Sequence, residues 1–351
     1  MKKKIYCVLL AAILIFAVGC SPTAPAPAPA PTPTPPAAQP AGQDAPDAPE
    51  APDINFPTGP IRIIVPFSAG GSTDLMARVM QPHLSEVLGA DVVIENRGGG
   101  GGAPGMIEMI GSAPDGHTVI FLSISAATLT PNISDVGYGI AEVAPIAQIT
   151  TAPSILWARA GEGITTLQEF IDYASARPGE LTYSSGGAGG AHHVAAETFF
   201  NAIGMPGLMA QVPFDSGIEG FTAFIGGHVD FAFQSVDDGR PFLDEGLIYA
   251  LGVMDNDGDP LLPDIPTFQS QGVEVEAGSW WGFAAPAGTP DEILDLWDNA
   301  ILTVLERPEV AELFLNLGQT VQHMPRGPFT EFWVEQFYFN RELIAELGLA
   351  S

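Results

Sequence analysis

Phe67-Ser-Ala-Gly-Gly-Ser-Thr-Asp74 is the segment whose residue types and spacing could do chemistry. It lies between an apolar run at 61–65 and a stretch with Leu75, Met76, Val79, Met80, Leu84, Val87 and Leu88 at helical spacing. That pattern predicts a buried strand, a tight turn and a helix over 73–88, with Ser72 as its N-cap. The first amides of such a helix have no internal partner and sit at the positive end of its dipole, so a carboxylate or phosphate over Gly70 and Gly71 satisfies them. Glycine lets the anion approach closely. Asp74, in the first helical turn, is favourable to the dipole with no ligand at all and is also a candidate polar anchor.

The device recurs. Leu181-Thr-Tyr-Ser184 reads as a strand, residues 186–190 as a glycine run, and 192–203 as a helix. A single turn of this kind is most simply a tight connection, but two in matching contexts suggest a cleft that grips a small molecule with two anionic ends from both sides. Ser123 and Ser125, just past the predicted strand 118–122, can add hydroxyl donors.

Other chemistries fare worse. His192 and His193 project to different sides of a helix, whereas metal-binding pairs want i, i+4 spacing, so His193 is expected to pack or hydrogen-bond behind the glycine loop, with ligand contact second. Ser68 lacks the Gly-x-Ser-x-Gly signature, and nothing nominates a base, so no catalytic residue is assigned. Residues 98–102 have no Gly-Lys-Ser/Thr sequel, which argues against a nucleotide loop and for a flexible connection. Trp280 and Trp281 read as core or hinge packing. No metal and no cofactor is expected.

Residues 1–20 have a basic start, an apolar run over 8–18 and Ala17-Val-Gly-Cys20, which is similar to a lipoprotein cleavage site and predicts export with a lipidated Cys20. The apolar run is too short to span a bilayer comfortably. Cys7 and Cys20 are the only cysteines, so the body can hold no disulfide or thiol nucleophile. Residues 21–55, rich in Pro and Ala, cannot bury a core and predict a semi-rigid, disordered tether reaching on the order of 100 Å. All three lysines lie in the leader, which leaves nine arginines against 41 acids. Nucleic acid is an unsuitable partner for such a body.

Residues 56–351 suit two lobes rather than one core. Strand and helix patterns alternate throughout, as in an α/β fold with parallel strands. Thr289-Pro-Asp-Glu292 reads as a capping box opening a helix to about 306, and a last helix is expected over 329–347.

Together, Pro60 to Arg78, Val92-Val-Ile-Glu-Asn-Arg97, Ala113-Pro-Asp-Gly-His-Thr118, Tyr183 to His193, Val212-Pro-Phe-Asp-Ser-Gly217, Gly227-His-Val-Asp230, Leu262-Pro-Asp-Ile-Pro-Thr267 and Trp280 to Pro290 carry a family resemblance. The body resembles the receptor component of tripartite tricarboxylate transporters, the Bug solute-binding proteins, and the order and spacing of these motifs make the match specific. The resemblance implies a two-lobed fold like type II periplasmic binding proteins, with lobe one at 56–158 plus 280–351, lobe two at 159–279, crossings near Arg159 and Trp280, and the ligand cleft between them. It implies capture of a small carboxylate and passive delivery to large and small membrane permease subunits, not catalysis. It places Phe67, Ser68, Ala69, Gly70, Gly71 and Asp74 on one ligand carboxylate, with Ser185, Gly186, Gly187, Ala188 and Gly189 on the other end. Asp215 stands where the family usually has lysine. If its loop faces the ligand, a mono- or dicarboxylate or an amino acid fits better than a tricarboxylate. A receptor presenting its ligand to a membrane sensor kinase would use the same cleft; an extracellular hydrolase lacks a base and nucleophile set.

Overall fold

The computed structural model describes residues 55–214 and 217–350. The leader with Cys20, the rest of the predicted tether up to residue 54, and Asp215 lie outside the described residues.

Two five-stranded sheets carry the fold. The first half runs β1 (Ile61–Val65), α1 (Ser72–Leu88), β2 (Val92–Asn96), α2 (Ala103–Ile110), β3 (Thr118–Ser123), a π turn at 125–129, α3 (Thr130–Ile133) and β4 (Val143–Pro153). The second sheet follows with β5 (Ile155–Arg159), α4 (Leu167–Ser175), β6 (Thr182–Gly186), α5 (Ala191–Ala202), β7 (Ala210–Phe214), α6 (Gly217–Ile225), β8 (Phe231–Gln234), α7 (Val236–Asp244) and β9 (Ile248–Val253). The chain then returns through β10 (Gly278–Pro286), α8 (Asp291–Leu305), α9 (Pro308–Asn316) and α10 (Arg326–Glu346).

Strand order is β2-β1-β3-β10-β4 in one sheet and β7-β6-β8-β5-β9 in the other. β1 is parallel to β2 and β3, and β6 to β7 and β8. β10 and β5 pair antiparallel on both sides. Continuous apolar strands such as Ile61-Arg-Ile-Ile-Val65 are what such two-sided burial requires. On one face Ile61, Ile63 and Val65 meet Met76, Met80 and Leu84 of α1 and Trp297 of α8; on the other, Ile64, Ile120 and Leu122 join the cluster containing Trp280, Phe329 and Trp333. In the second lobe Tyr183, Phe199, Phe231 and Phe233 fill one face, and Trp157, Phe221 and Phe224 the other.

The lobes exchange strands earlier in the chain than expected. β4 ends at Pro153 in the first sheet and β5 starts at Ile155 in the second, so the outward crossing is at Ser154 and not near Arg159. The return falls at Ala277, just before β10. Ser154 N–H donates to Ala277 O and Met254 N–H to Ser154 O, each at 2.9 Å, so the two crossings are bonded to one another. The sequence gives no clean sign of β4, whose Pro145, Pro153, Thr150 and Thr151 interrupt its apolar pattern, and without β4 the strand β5 falls to the wrong lobe.

Two expected caps differ. α1 has Gly71 as N-cap with no side-chain capping bond, and Ser72 is its first residue, its hydroxyl directed elsewhere. At α8 the Thr289 hydroxyl donates to Pro286 O (2.8 Å) and Pro290 takes the cap position, so the capping box does not form. The glycine run at 98–102 is packed rather than loose: Gly101 O accepts the Thr130 hydroxyl at 2.9 Å, and a Cβ on Gly102 would sit 2.7 Å from that of Ala126.

Candidate ligand-binding site

The carboxyl ends of β1, β3, β6 and β8, all members of parallel pairs, open onto one cavity of about 300 Å³ between the two sheets. Ligands of α/β sheets bind at such ends because the following helix N-termini point there. Lobe one supplies residues 67–73, Ser123 and Ser125. Lobe two supplies Gly186, Ala191, His192, the first turn of α6, Gln234, Ser235 and Asp238. Ser279 and Trp281 of β10 complete the wall next to the crossing.

The first loop is held from behind. Asp74, buried at 1% exposure, accepts Gly70 N–H (2.8 Å) and Arg78 Nε–H (2.8 Å) on Oδ2, and Asn96 Nδ2–H (3.0 Å) on Oδ1. Asn96 also donates to Phe67 O at 3.1 Å. Burial disfavours the Asp74 charge, but the bonds from Arg78, Gly70 and Asn96 outweigh it and hold its carboxyl below the ordinary range. Asp74 is not part of the cavity lining, and the three donors it accepts all belong to its own loop and the supporting Arg78 and Asn96. Phe67, Ser68, Ala69, Gly70 and Gly71 do line the cavity. The Gly70 amide is spent on Asp74, while Ser72 and Thr73, at the start of α1 where no side chain caps the helix, line the cavity. Trp281 Nε1–H donates to Thr73 Oγ1 (2.9 Å), fixing the indole as a cavity wall.

The second loop behaves differently. Of residues 185–189, only Gly186 lines the cavity among the described residues. Ser185 is buried, its hydroxyl accepting Gln211 Nε2–H at 2.8 Å. Gly187 N–H folds back to Ser185 O, Ala188 is exposed, and Gly189 packs so closely on Ile133 of lobe one that a Cβ would lie 2.4 Å from its Cδ1. Gly189 N–H donates to His193 Nδ1 (2.8 Å), so His193 stands behind the loop, outside the cavity. His192 is the one that reaches the lining; its Nδ1 lies 2.7 Å from Ser154 Oγ at the crossing. Burial pushes both imidazoles down to about 4, so both are neutral at ordinary pH. Ser125 lines the cavity and its Oγ accepts Ala191 N–H at 3.3 Å, a bond from lobe one to the start of α5.

No arginine lines this cavity among the described residues. Arg62 and Arg97 are clamped by Glu95 and Glu108, Arg78 by Asp74, Arg159 by Glu162, Arg240 by Asp244, Arg307 by Glu86, and Arg326 by Asp291 and Asp295. Arg177 and Arg341 lie over Tyr173 and Tyr338. An anion here must be held by helix N-termini and hydroxyls.

The opposite wall is acidic. The Ser72 hydroxyl donates to Asp237 Oδ2 (2.7 Å) across the cleft, and the Ser235 hydroxyl bonds the other oxygen. Asp238, which lines the cavity, has no hydrogen-bond donor among the described residues; burial and the charge of Asp237 push its carboxyl well up. Burial also raises Asp237, against its two hydroxyl bonds. Sequence reasoning missed His192, Gln234, Ser235 and Asp238. The available signal was topological: Phe231-Ala-Phe-Gln234 followed by Ser-Val-Asp-Asp is another strand running straight into a helix N-terminus, without the glycines that drew attention elsewhere.

The model of the tripartite tricarboxylate transporter family receptor matches residues 76–349. A UPF0065 protein of Bordetella pertussis is 32% identical over 302 residues, 84% of this chain and 91% of that protein. Among solved structures, Rhodopseudomonas palustris MatC with bound malate aligns with a TM-score of 0.74 at 27% identity, covering 82% of this chain and 100% of that one. An R. palustris protein solved with adipate aligns with a TM-score of 0.77 at 25% identity, covering 84% and 99%. With the two-sheet architecture and the interlobe cavity, these matches place the chain in the tripartite tricarboxylate transporter receptor family of solute-binding proteins.

Proposed function

We propose that the protein captures a small carboxylate outside the cytoplasm in the cavity between its lobes and hands it to the membrane permease subunits of a tripartite transporter. The observation that carries this reading is the convergence of the start of α1, which has no side-chain cap, the start of α5 and the hydroxyls of Ser68, Ser123 and Ser125 on a cavity without a side-chain cation among the described residues. Backbone amides and hydroxyls recognise a carboxylate without the desolvation cost of a buried lysine or arginine. Each charge-assisted bond contributes about 1.5–3 kcal/mol, so roughly four reach the ~8 kcal/mol of a micromolar complex after ordering costs. The cavity matches a ligand of only a few carbons. Malate and adipate in the related structures are of this size and charge. In this reading the carboxylate lies over Gly71 and the amides of Ser72 and Thr73, and the start of α5 with His192 meets its other end. Ligand contacts to both lobes favour the closed form and shift the population towards it.

Localisation follows from residues 1–55: a lipidated Cys20 and the tether would hold the receptor near the permease, and Cys20→Ala would then release it from the membrane fraction. The test of function is a thermal-shift and calorimetric panel of mono-, di- and tricarboxylates on the purified protein. A rise in melting temperature confined to one class, with stoichiometric binding, supports the reading. No binding by any carboxylate sinks it.

A further inference from the structure

A hydrogen bond at the outward crossing decides what His192 can offer a ligand. Ser154 Oγ lies 2.7 Å from Nδ1 of His192, which stands in the first turn of α5. Ser154 is wholly buried, and its hydroxyl has no other partner among the described residues. A buried O–H without an acceptor is costly, and the imidazole is the acceptor within reach, so the serine donates and Nδ1 accepts. The ring proton is then on Nε2, because the bond made by one imidazole nitrogen sets the protonation of the other. Nε2 has no partner among the described residues, and its side chain lines the ligand cavity. Burial holds the imidazole at about 4, so the ring presents this donor without a charge at ordinary pH. The main-chain N–H of His192, at the start of α5, adds a second donor with no intrahelical acceptor. Ser154 is itself held at the crossing, where its N–H donates to Ala277 O and its carbonyl accepts Met254 N–H.

Resting on the carboxylate reading above, we infer that His192 selects the far end of the ligand: its Nε2–H donates to an oxygen acceptor there, and Ser154 is the positioning residue that sets the tautomer. With the proton on Nδ1 instead, the ring would show the cavity a bare nitrogen, which repels a carboxylate or carbonyl oxygen and accepts only from a donor. The serine hydroxyl therefore decides which chemistry the histidine reads.

The test follows the ring and the binding separately. Heteronuclear NMR of the imidazole nitrogens in the unliganded protein, with His192 assigned by its loss in His192→Gln, should show Nε2 protonated and Nδ1 bare near neutral pH. A protonated Nδ1 overturns the inference with no variant needed. Calorimetry then compares succinate with butyrate, glutarate with pentanoate and adipate with hexanoate, pairs that differ in one terminal carboxylate. The wild type, His192→Leu, His192→Gln and Ser154→Ala are compared, with melting temperatures as folding controls. For at least one pair the diacid is expected to bind the wild type at least about tenfold more tightly, and His192→Leu should bring the ratio near unity. His192→Gln, which keeps an uncharged N–H donor, should retain most of the advantage, and Ser154→Ala should lower it while mixing the tautomers in the spectrum. If no diacid is favoured, or the advantage survives His192→Leu in a folded variant, His192 does not select the far end while the carboxylate receptor stands. An unchanged ratio and spectrum in Ser154→Ala would remove the serine from its role. If no member of the panel binds, both readings fall together.

Discussion

Asp74 stands behind the cavity wall and supports the loop that forms it. Its two oxygens satisfy Gly70 N–H, Arg78 and Asn96, and through them fix the turn that presents the α1 amides. Removing the carboxylate leaves the Gly70 amide without its partner and takes one of the two bonds of the Asn96 amide in a part-buried site, so Asp74→Ala should cost about 1–3 kcal/mol of stability, read as a lowered melting temperature. Because the folded-state carboxyl is held below its unfolded value, its stabilisation is present above the unfolded carboxylate range and lost as pH falls through the folded value. The gap between wild type and variant should therefore be widest at neutral pH and close in strong acid. A constant gap across pH would mean that the charge of Asp74 contributes nothing. Asn96→Ala, which removes two bonds to the same loop, should lower stability in the same sense.

At the level of elements, the two glycine turns make opposite predictions. Gly71 has φ −78° and ψ 166°, open to any residue, and a Cβ there meets only Ser68 O at 3.5 Å. Gly71→Val should fold with a near-unchanged melting temperature yet lose carboxylate affinity by at least about tenfold, because its branches stand where the anion must approach the amides. Gly190, the corresponding N-cap of α5, would put a Cβ 2.5 Å from Gly186 O, a main-chain atom that cannot give way cheaply. Gly190→Ala should destabilise by about 1–3 kcal/mol instead. Normal binding by a folded Gly71→Val protein would remove the first loop from the site. The contrast also marks what was legible in the sequence. Strand, glycine turn and amphipathic helix are local patterns, and β1, α1, β2, α2, β6 and α5 follow them closely. β4 did not announce itself, since prolines and threonines broke its period, and the crossing at Ser154 was lost with it. In the site, the first loop was legible because glycines signal close approach. The Asn96 bonds to Asp74 and Phe67, the seat of Gly189 on Ile133, and the entry of Gln234 and Asp238 into the cavity wall depend on contacts between distant segments, which no local pattern carries.

For the whole molecule the question is what holds the lobes together when the cleft has no ligand to bridge it. Ser72 to Asp237 (2.7 Å), Ala191 to Ser125 (3.3 Å) and the seat of Gly189 on Ile133 all cross from one lobe to the other. The crossing strands tie them at one side only, through Ser154 and Ala277. In the proposed reading the lobes close by rotation about the crossing, and each cross-cleft bond then biases the unliganded population. Ser72→Ala should therefore enlarge the radius of gyration of the unliganded protein in small-angle scattering and increase the contraction seen on ligand addition. An unchanged radius would show that the hydroxyl bond carries no part of closure. The acidic pair beneath that bond adds a pH dependence. Asp237 and Asp238 are held above their unfolded values, chiefly by burial, with their proximity raising Asp238 further. Between the unfolded carboxylate range and the raised values the folded protein binds more protons than the unfolded chain, so stability falls as pH rises through that window. Asp259, also raised, acts in the same direction, while Asp74, Glu86 and Glu108, all lowered, act only in stronger acid. Burial holds His192 and His193 at about 4, so between there and the ordinary imidazole value the unfolded chain binds more protons and these two groups make stability rise with pH, against the acidic pair. Asp238→Asn should therefore gain in melting temperature relative to the wild type as pH rises through the acidic pair's window, because it removes one of the two like charges. A curve that keeps its slope in Asp238→Asn would place the source of the pH dependence elsewhere in a chain with 41 acids.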